Sequence, residues 1–193
     1  AIRIIAQKLS ERGRRGEGWE WSRINRRLAT WCIDRQTFLP DRESEREVIG
    51  IVVDTSGSMA MIVDTAIGLA YGMRGDDVWV VPCDVTGYTP FRATEKRDKV
   101  KGGGGTYLWA GVQALYDRER FPYLPHAFSA LVIISDGQSN TPTKQEVTEF
   151  WKRLASKNIP RPDLYFIALV SQEGGPDLSF WQQVGFRLVT VMI

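Results

Sequence analysis

Short apolar runs recur along the chain at Ile49 to Val53, Val78 to Cys83, Leu131 to Ile134 and Leu164 to Val170, each bounded by polar or turn-forming residues. Runs of this length without polar alternation predict strands buried on both faces. The segments between them carry apolar residues at intervals of three and four, the spacing of a helix with one buried side. The predicted order from the first run is strand about 48–54, helix about 60–73, strand about 77–83, an edge strand about 87–94 and helix about 107–117. Strand about 130–135, helix about 143–156, strand about 164–170, a short helix about 177–184 and strand about 186–192 complete it. Strands that alternate with helices predict an α/β architecture, a mostly parallel sheet flanked by helices.

The amino-terminal part reads differently. Ile2 to Arg12 has helical spacing, Gly13 to Gly18 interrupt it, and Trp21, Ile24 and Leu28 resume it, predicting a second short helix that ends before Pro40. Asp41 to Glu47 reads as a charged linker. The expected organisation is therefore an amino-terminal helical extension, residues 1–46, and a core domain, residues 47–193. Ile2, Ile5, Leu9, Trp21, Ile24 and Leu28 give the extension apolar faces that are expected to pack on the core.

The chain has 193 residues, 43% of them hydrophobic, enough to bury a core. No stretch approaches the roughly 18–20 apolar residues of a membrane span, and no signal-peptide pattern opens the chain. It begins at Ala1 rather than Met, as an excerpt of a longer protein would. Cys32 and Cys83 are the two cysteines, too few for a disulfide framework, and Cys83 ends a buried run as a packed thiol would. A reducing, cytoplasmic setting is expected. The net charge of +2 conceals an uneven distribution, with eight basic and three acidic side chains in residues 1–27. No aromatic-basic interleaving accompanies these charges, so a solvated helix and loop are expected rather than a nucleic-acid surface.

Candidate chemistry gathers where strands end. The run Ile51-Val52-Val53 leads into Asp54-Thr55-Ser56-Gly57-Ser58, which puts a carboxylate and two hydroxyls at alternate positions after a buried strand. Gly102 to Gly105 precede Thr106, and Leu131 to Ile134 lead through Ser135 into Asp136-Gly137. Oxygen donors of this kind suit a hard divalent cation. A parallel sheet presents ligand sites at the carboxyl ends of its strands, where Asp54 and Asp136 are both predicted to lie. Any one of these fragments alone would read as ordinary turn and cap chemistry.

In this order, D-x-S-x-S at Asp54, Ser56 and Ser58, then Thr106, then Asp136, the chain resembles the von Willebrand factor A (VWA) domain with its metal-ion-dependent adhesion site. Trp21 with Asn25-Arg26-Arg27, Leu39-Pro40, Val81-Pro82-Cys83-Asp84 and Gly102 to Thr106 make it most similar to the VWA-like domain that certain bacterial proteins pair with a predicted metallopeptidase domain. The resemblance implies a Rossmann-like doubly wound sheet, a metal site at Asp54, Ser56, Ser58, Thr106 and Asp136, and no catalytic residues. Ser56, Ser58 and Thr106 would supply hydroxyl oxygens, and Asp54 and Asp136 would balance charge through bound waters. The ion would be Mg²⁺, with Mn²⁺ acceptable and Ca²⁺ behind both. An open coordination position would take an Asp or Glu of a protein partner, with an AAA+ ATPase or a metallopeptidase-like domain as candidate partners. Tyr107 and Trp109 flank the site threonine, either as a docking rim or as residues buried beneath the following helix.

The competing function is a Mg²⁺-dependent phosphotransferase or hydrolase on a similar sheet. A haloacid-dehalogenase-like enzyme needs a second aspartate where Ser56 stands, and the glycine run lacks the Gly-Lys-Ser/Thr of a P-loop. No H-E-x-x-H is present, and the single histidine, His126, reads as a loop residue. A metal-dependent protein-interaction module is therefore expected ahead of an enzyme.

Overall fold

The computed structural model describes residues 18–24, 40–43, 48–60, 62–72, 77–95, 103–170 and 176–192. The chain divides into two compact units, Ile2–Glu47 and Val48–Ile193, the second also taking in Ala1. In the first, β1 (Gly18–Ile24) pairs antiparallel with β2 (Pro40–Glu43), Gly18 opposite Glu43 and Ile24 opposite Pro40, with an irregularity between Glu20 and Ile24. This corrects two expectations. Trp21 and Ile24 lie on a strand rather than a helix, and Asp41 to Glu43 belong to its partner rather than to a linker. The physical reason is the alternation Trp19-Glu20-Trp21-Ser22, a period of two in residues with strong strand preference. The predicted helix at Ile2 to Arg12, and Leu28, lie outside the described residues.

The second unit is built on a six-stranded sheet in the order β5-β4-β3-β6-β7-β8. Its strands are β3 (Ile49–Asp54), β4 (Val78–Cys83), β5 (Phe91–Arg92), β6 (Ala130–Ser135), β7 (Asp163–Val170) and β8 (Arg187–Met192). All neighbouring pairs are parallel except β4 with the short edge strand β5. The helices are α1 (Val63–Gly72), α2 (Trp109–Tyr116), α3 (Lys144–Ser156) and α4 (Ser179–Gln183). This is the α/β architecture expected, with most element ends shifted by a residue or two, while α1 starts three residues later than expected and the edge strand expected over about 87–94 shrinks to Phe91–Arg92. From β3 the chain moves outward to β4 and β5, then returns to place β6 on the other side of β3.

Alternate residues of the central strands face opposite layers. Val52, Val81, Leu131, Ile133 and Phe166 join a core with Trp109 and Val112 of α2, Phe150 and Leu154 of α3, and Trp181 of α4. Ile51, Val53, Val80, Ile134 and Ile167 point the other way and are also buried. Burying both faces is what parallel strands rich in Val and Ile require. Helix α3 begins with a capping box, since Glu146 N–H donates to Thr143 Oγ1 at 3.1 Å and Thr143 N–H to Glu146 Oε2 at 2.7 Å.

Helix α2 approaches the sheet closely because Gly111 has no side chain. A Cβ there would stand 2.5 Å from Val52 Cγ1 and 3.0 Å from Cys83 Cβ. Gly111→Ala should lower stability by about 1–3 kcal/mol, the cost of overpacking exceeding its helical gain. Gly68 of α1 has nothing within 4 Å of the equivalent position. Gly68→Ala should raise stability by about 0.5–1 kcal/mol, and thermal melts of the two variants check the contrast.

Candidate metal centre

Strand β3 ends on Asp54, whose side chain is 0% exposed. Its backbone is held by pairing to Cys83 of β4. Beyond the pair Val53–Ile134, the next step of the parallel register brings Ser135 to its other side. Ser135 Oγ donates to Asp54 Oδ2 at 2.5 Å, and the Ser56 N–H donates to Asp54 Oδ1 at 2.9 Å, closing an Asx-type turn. One turn of 3₁₀ helix, Gly57–Met59, follows, anchored by the buried Met59. Ser56 Oγ and Ser58 Oγ are 3.1 Å apart, the first buried and the second exposed.

The glycine loop closes on this turn. Gly103 N–H donates to the Thr55 carbonyl at 2.9 Å and Gly57 N–H to the Gly104 carbonyl at 3.4 Å. Gly103 has φ of +118°, a conformation that an L side chain would strain. Thr106 is 8% exposed, and its carbonyl accepts from Asn140 N–H at 2.9 Å. Gly102 lies outside the described residues.

The third loop follows β6. Asp136 Oδ1 accepts from Gln138 N–H at 2.9 Å and stands 3.5 Å from Ser135 Oγ, which itself accepts from Gly137 N–H at 2.9 Å. Asp54, Ser56, Ser58 and Asp136 thus share one hydrogen-bonded network centred on Ser135, and main-chain bonds tie Thr106 to the same loops. Ser135 is an addition to the expected set. Its signal was a hydroxyl ending the strand beside β3, level with Asp54.

Burial raises the Asp54 carboxyl above its ordinary range and the charge of Asp136 adds to the effect, while the hydrogen bonds from Ser135 and Ser56 oppose it. No cationic side chain among the described residues pairs with it. A buried carboxylate beside a second one, without a compensating cation, is costly. The donor set is all oxygen, two carboxylates and three hydroxyls, and among the described residues no group of three or more His, Cys, Asp or Glu that could hold a metal ion is found. These residues fit a hard divalent cation such as Mg²⁺ or Mn²⁺.

Tyr107 is half-buried beside the site, its phenol raised by burial and by the charge of Glu146. Trp109 is 0% exposed and meets Phe150 and Trp151 edge-on at ring-centroid distances of 5.3 and 6.1 Å. A docking rim is therefore not its place. Cys83 is buried, its thiol pushed up to about 12 chiefly by loss of solvation, as expected of a packed thiol.

A cavity of about 650 Å³ runs along α2 and α3 from Val85 to Lys157. At its margin the exposed His126 accepts from Arg118 through Nδ1 at 2.9 Å, so that nitrogen carries no proton. In comparisons with known proteins, no protein-family model and no curated protein matches the chain.

Proposed function

We propose that this protein is a metal-dependent protein-interaction module whose cation site is formed by Asp54, Ser56, Ser58, Thr106 and Asp136. The observation that carries this reading is the buried Asp54, with no cationic side chain paired to it among the described residues, at the point where three loops are hydrogen-bonded together beside two exposed or partly exposed oxygen donors, Ser58 and Asp136. The order of these residues on a mostly parallel sheet supports a VWA-like domain with an adhesion-type metal site.

Ser56, Ser58 and Thr106 would hold a Mg²⁺ ion, with Asp54 and Asp136 neutralising charge around it. When bound, the ion supplies a strong, directional attraction for an anionic oxygen. The chain's own contribution is to hold three neutral hydroxyls in place, so that the cation is left short of negative charge and open to a partner's Asp or Glu. Asp54, fixed by Ser56 and Ser135, keeps its carboxylate aimed at one place. The one hydroxyl bonded to a carboxylate in this arrangement, Ser135 to Asp54, is fully buried and serves to hold Asp54 in place.

A displayed peptide library screened against Mn²⁺-loaded protein tests the reading. Retained peptides should carry an Asp or Glu in common, and EDTA or Thr106→Ala should each reduce retention at least 10-fold. Enrichment of peptides without a carboxylate, or retention in EDTA, would contradict it.

A further inference from the structure

Asp84 follows β4, is 4% exposed, and is not among the five metal-site residues. Its Oδ1 accepts from Thr86 N–H at 3.1 Å and its Oδ2 from Tyr88 Oη–H at 2.8 Å. Those two bonds close its own turn. The carboxylate also lies against Gly104, a residue of the glycine loop. The approach is close, since a Cβ on Gly104 would stand 3.2 Å from Asp84 Oδ2.

The main chain of Asp84 adds a second hold. Its carbonyl accepts from Tyr107 N–H at 2.6 Å. One residue thus grips the loop at Gly104 and at Tyr107, on either side of Thr106. The Gly104 carbonyl in turn accepts from Gly57 of the D-x-S-x-S turn. The peptide at Gly104 therefore links Asp84 to the segment carrying Ser56 and Ser58. Burial opposes ionisation of Asp84, but the hydrogen bonds from Tyr88 and Thr86, helped by the nearby main-chain N–H groups of Val85 and Gly104, outweigh it and hold the carboxyl below its ordinary value.

We propose that Asp84 is a positioning residue of the metal site, fixing the glycine loop so that Thr106 stays with Ser56 and Ser58, and so setting cation affinity without touching the ion. The proposal rests on the metal reading above. A loop of consecutive glycines loses more conformational entropy on ordering than any other sequence. If Asp84 has already ordered it, that cost does not fall on cation binding.

The test combines Mn²⁺ titration calorimetry with amide hydrogen exchange in EDTA, on wild type, Asp54→Ala, Asp84→Ala, Asp84→Asn and Thr143→Ala. Asp84→Ala should weaken Mn²⁺ binding about 10- to 100-fold, the usual effect of losing a residue that orients ligands. The Gly104 and Tyr107 amides should exchange at least 10-fold faster in it, while β6 amides are unchanged. Asp84→Asn, which keeps the side-chain volume but turns one acceptor into a donor, should fall between, and it carries the comparison if Asp84→Ala does not fold. Thr143→Ala removes the α3 capping box and should lower stability without changing Mn²⁺ affinity, which separates positioning from general destabilisation. Wild-type affinity in both folded Asp84 variants, with binding lost in Asp54→Ala, would overturn the proposal alone. Wild type that takes up no Mn²⁺ would overturn the metal reading and the proposal with it.

Discussion

Asp54→Asn should lose Mn²⁺ binding by at least about 10- to 100-fold and yet, in EDTA at neutral pH, melt no lower than wild type. The two results have one cause. Without a cation, the buried Asp54 carboxylate pays for its desolvation with the two hydrogen bonds it accepts and stands beside Asp136. An amide has no charge to desolvate, and its oxygen still accepts from Ser56 N–H. Its NH₂ donates to Ser135 Oγ, whose own proton turns toward Asp136 Oδ1, 3.5 Å away. In a chain this long each kcal/mol gained is worth about 2–4 °C in melting temperature. Saturating Mn²⁺ should reverse the order, because it stabilises wild type by mass action and the variant hardly at all. The pH dependence in EDTA has a definite sign. A carboxyl whose folded value is raised contributes stability below its unfolded value and loses it as pH rises through the folded one, so acidification should narrow the gap between the two proteins. Wild type more stable than Asp54→Asn in EDTA across that range would contradict this account.

Trp109→Ala should destabilise the protein by about 3–5 kcal/mol, the range for removing a fully buried tryptophan. At about 2–4 °C per kcal/mol, the melting temperature should fall by roughly 6–20 °C. Trp109 meets Phe150 and Trp151 of α3 from the first turn of α2, so its loss opens a void where the two helices face the sheet. A surface aromatic would change stability by about 0.5 kcal/mol or less. A melt within 2 °C of wild type, about the shift 0.5 kcal/mol would cause, would return Trp109 to the surface.

The parallel strands were legible because burial on both faces leaves an unbroken apolar run, as in Ile51-Val52-Val53. The placement of Asp54 and Asp136 was legible for the same reason, since a polar residue that ends such a run must sit at the carboxyl edge of the sheet, and both do. The strand at Trp21 was not. Trp21, Ile24 and Leu28 fit a helical interval as well as Trp19 and Trp21 fit a strand, and the choice is settled by pairing with residues 40–43, a non-local contact that periodicity does not register. Trp109 was ambiguous because an aromatic beside a loop satisfies either a core or an interface, and the facing residues on α3 decide. Ser135 and Asp84 were overlooked as functional groups. Ser135 ends β6 and Asp84 directly follows β4, the two strands flanking β3, and comparing the ends of neighbouring strands would have placed Ser135 level with Asp54 and Asp84 one residue beyond it.

Anomalous difference maps from crystals soaked in Mn²⁺ test the central claim most directly. The account predicts a peak among the hydroxyls of Ser56, Ser58 and Thr106, at about 2.0–2.3 Å from each. A fully soaked crystal with no peak there, or with its strongest peak away from these three loops, would contradict it.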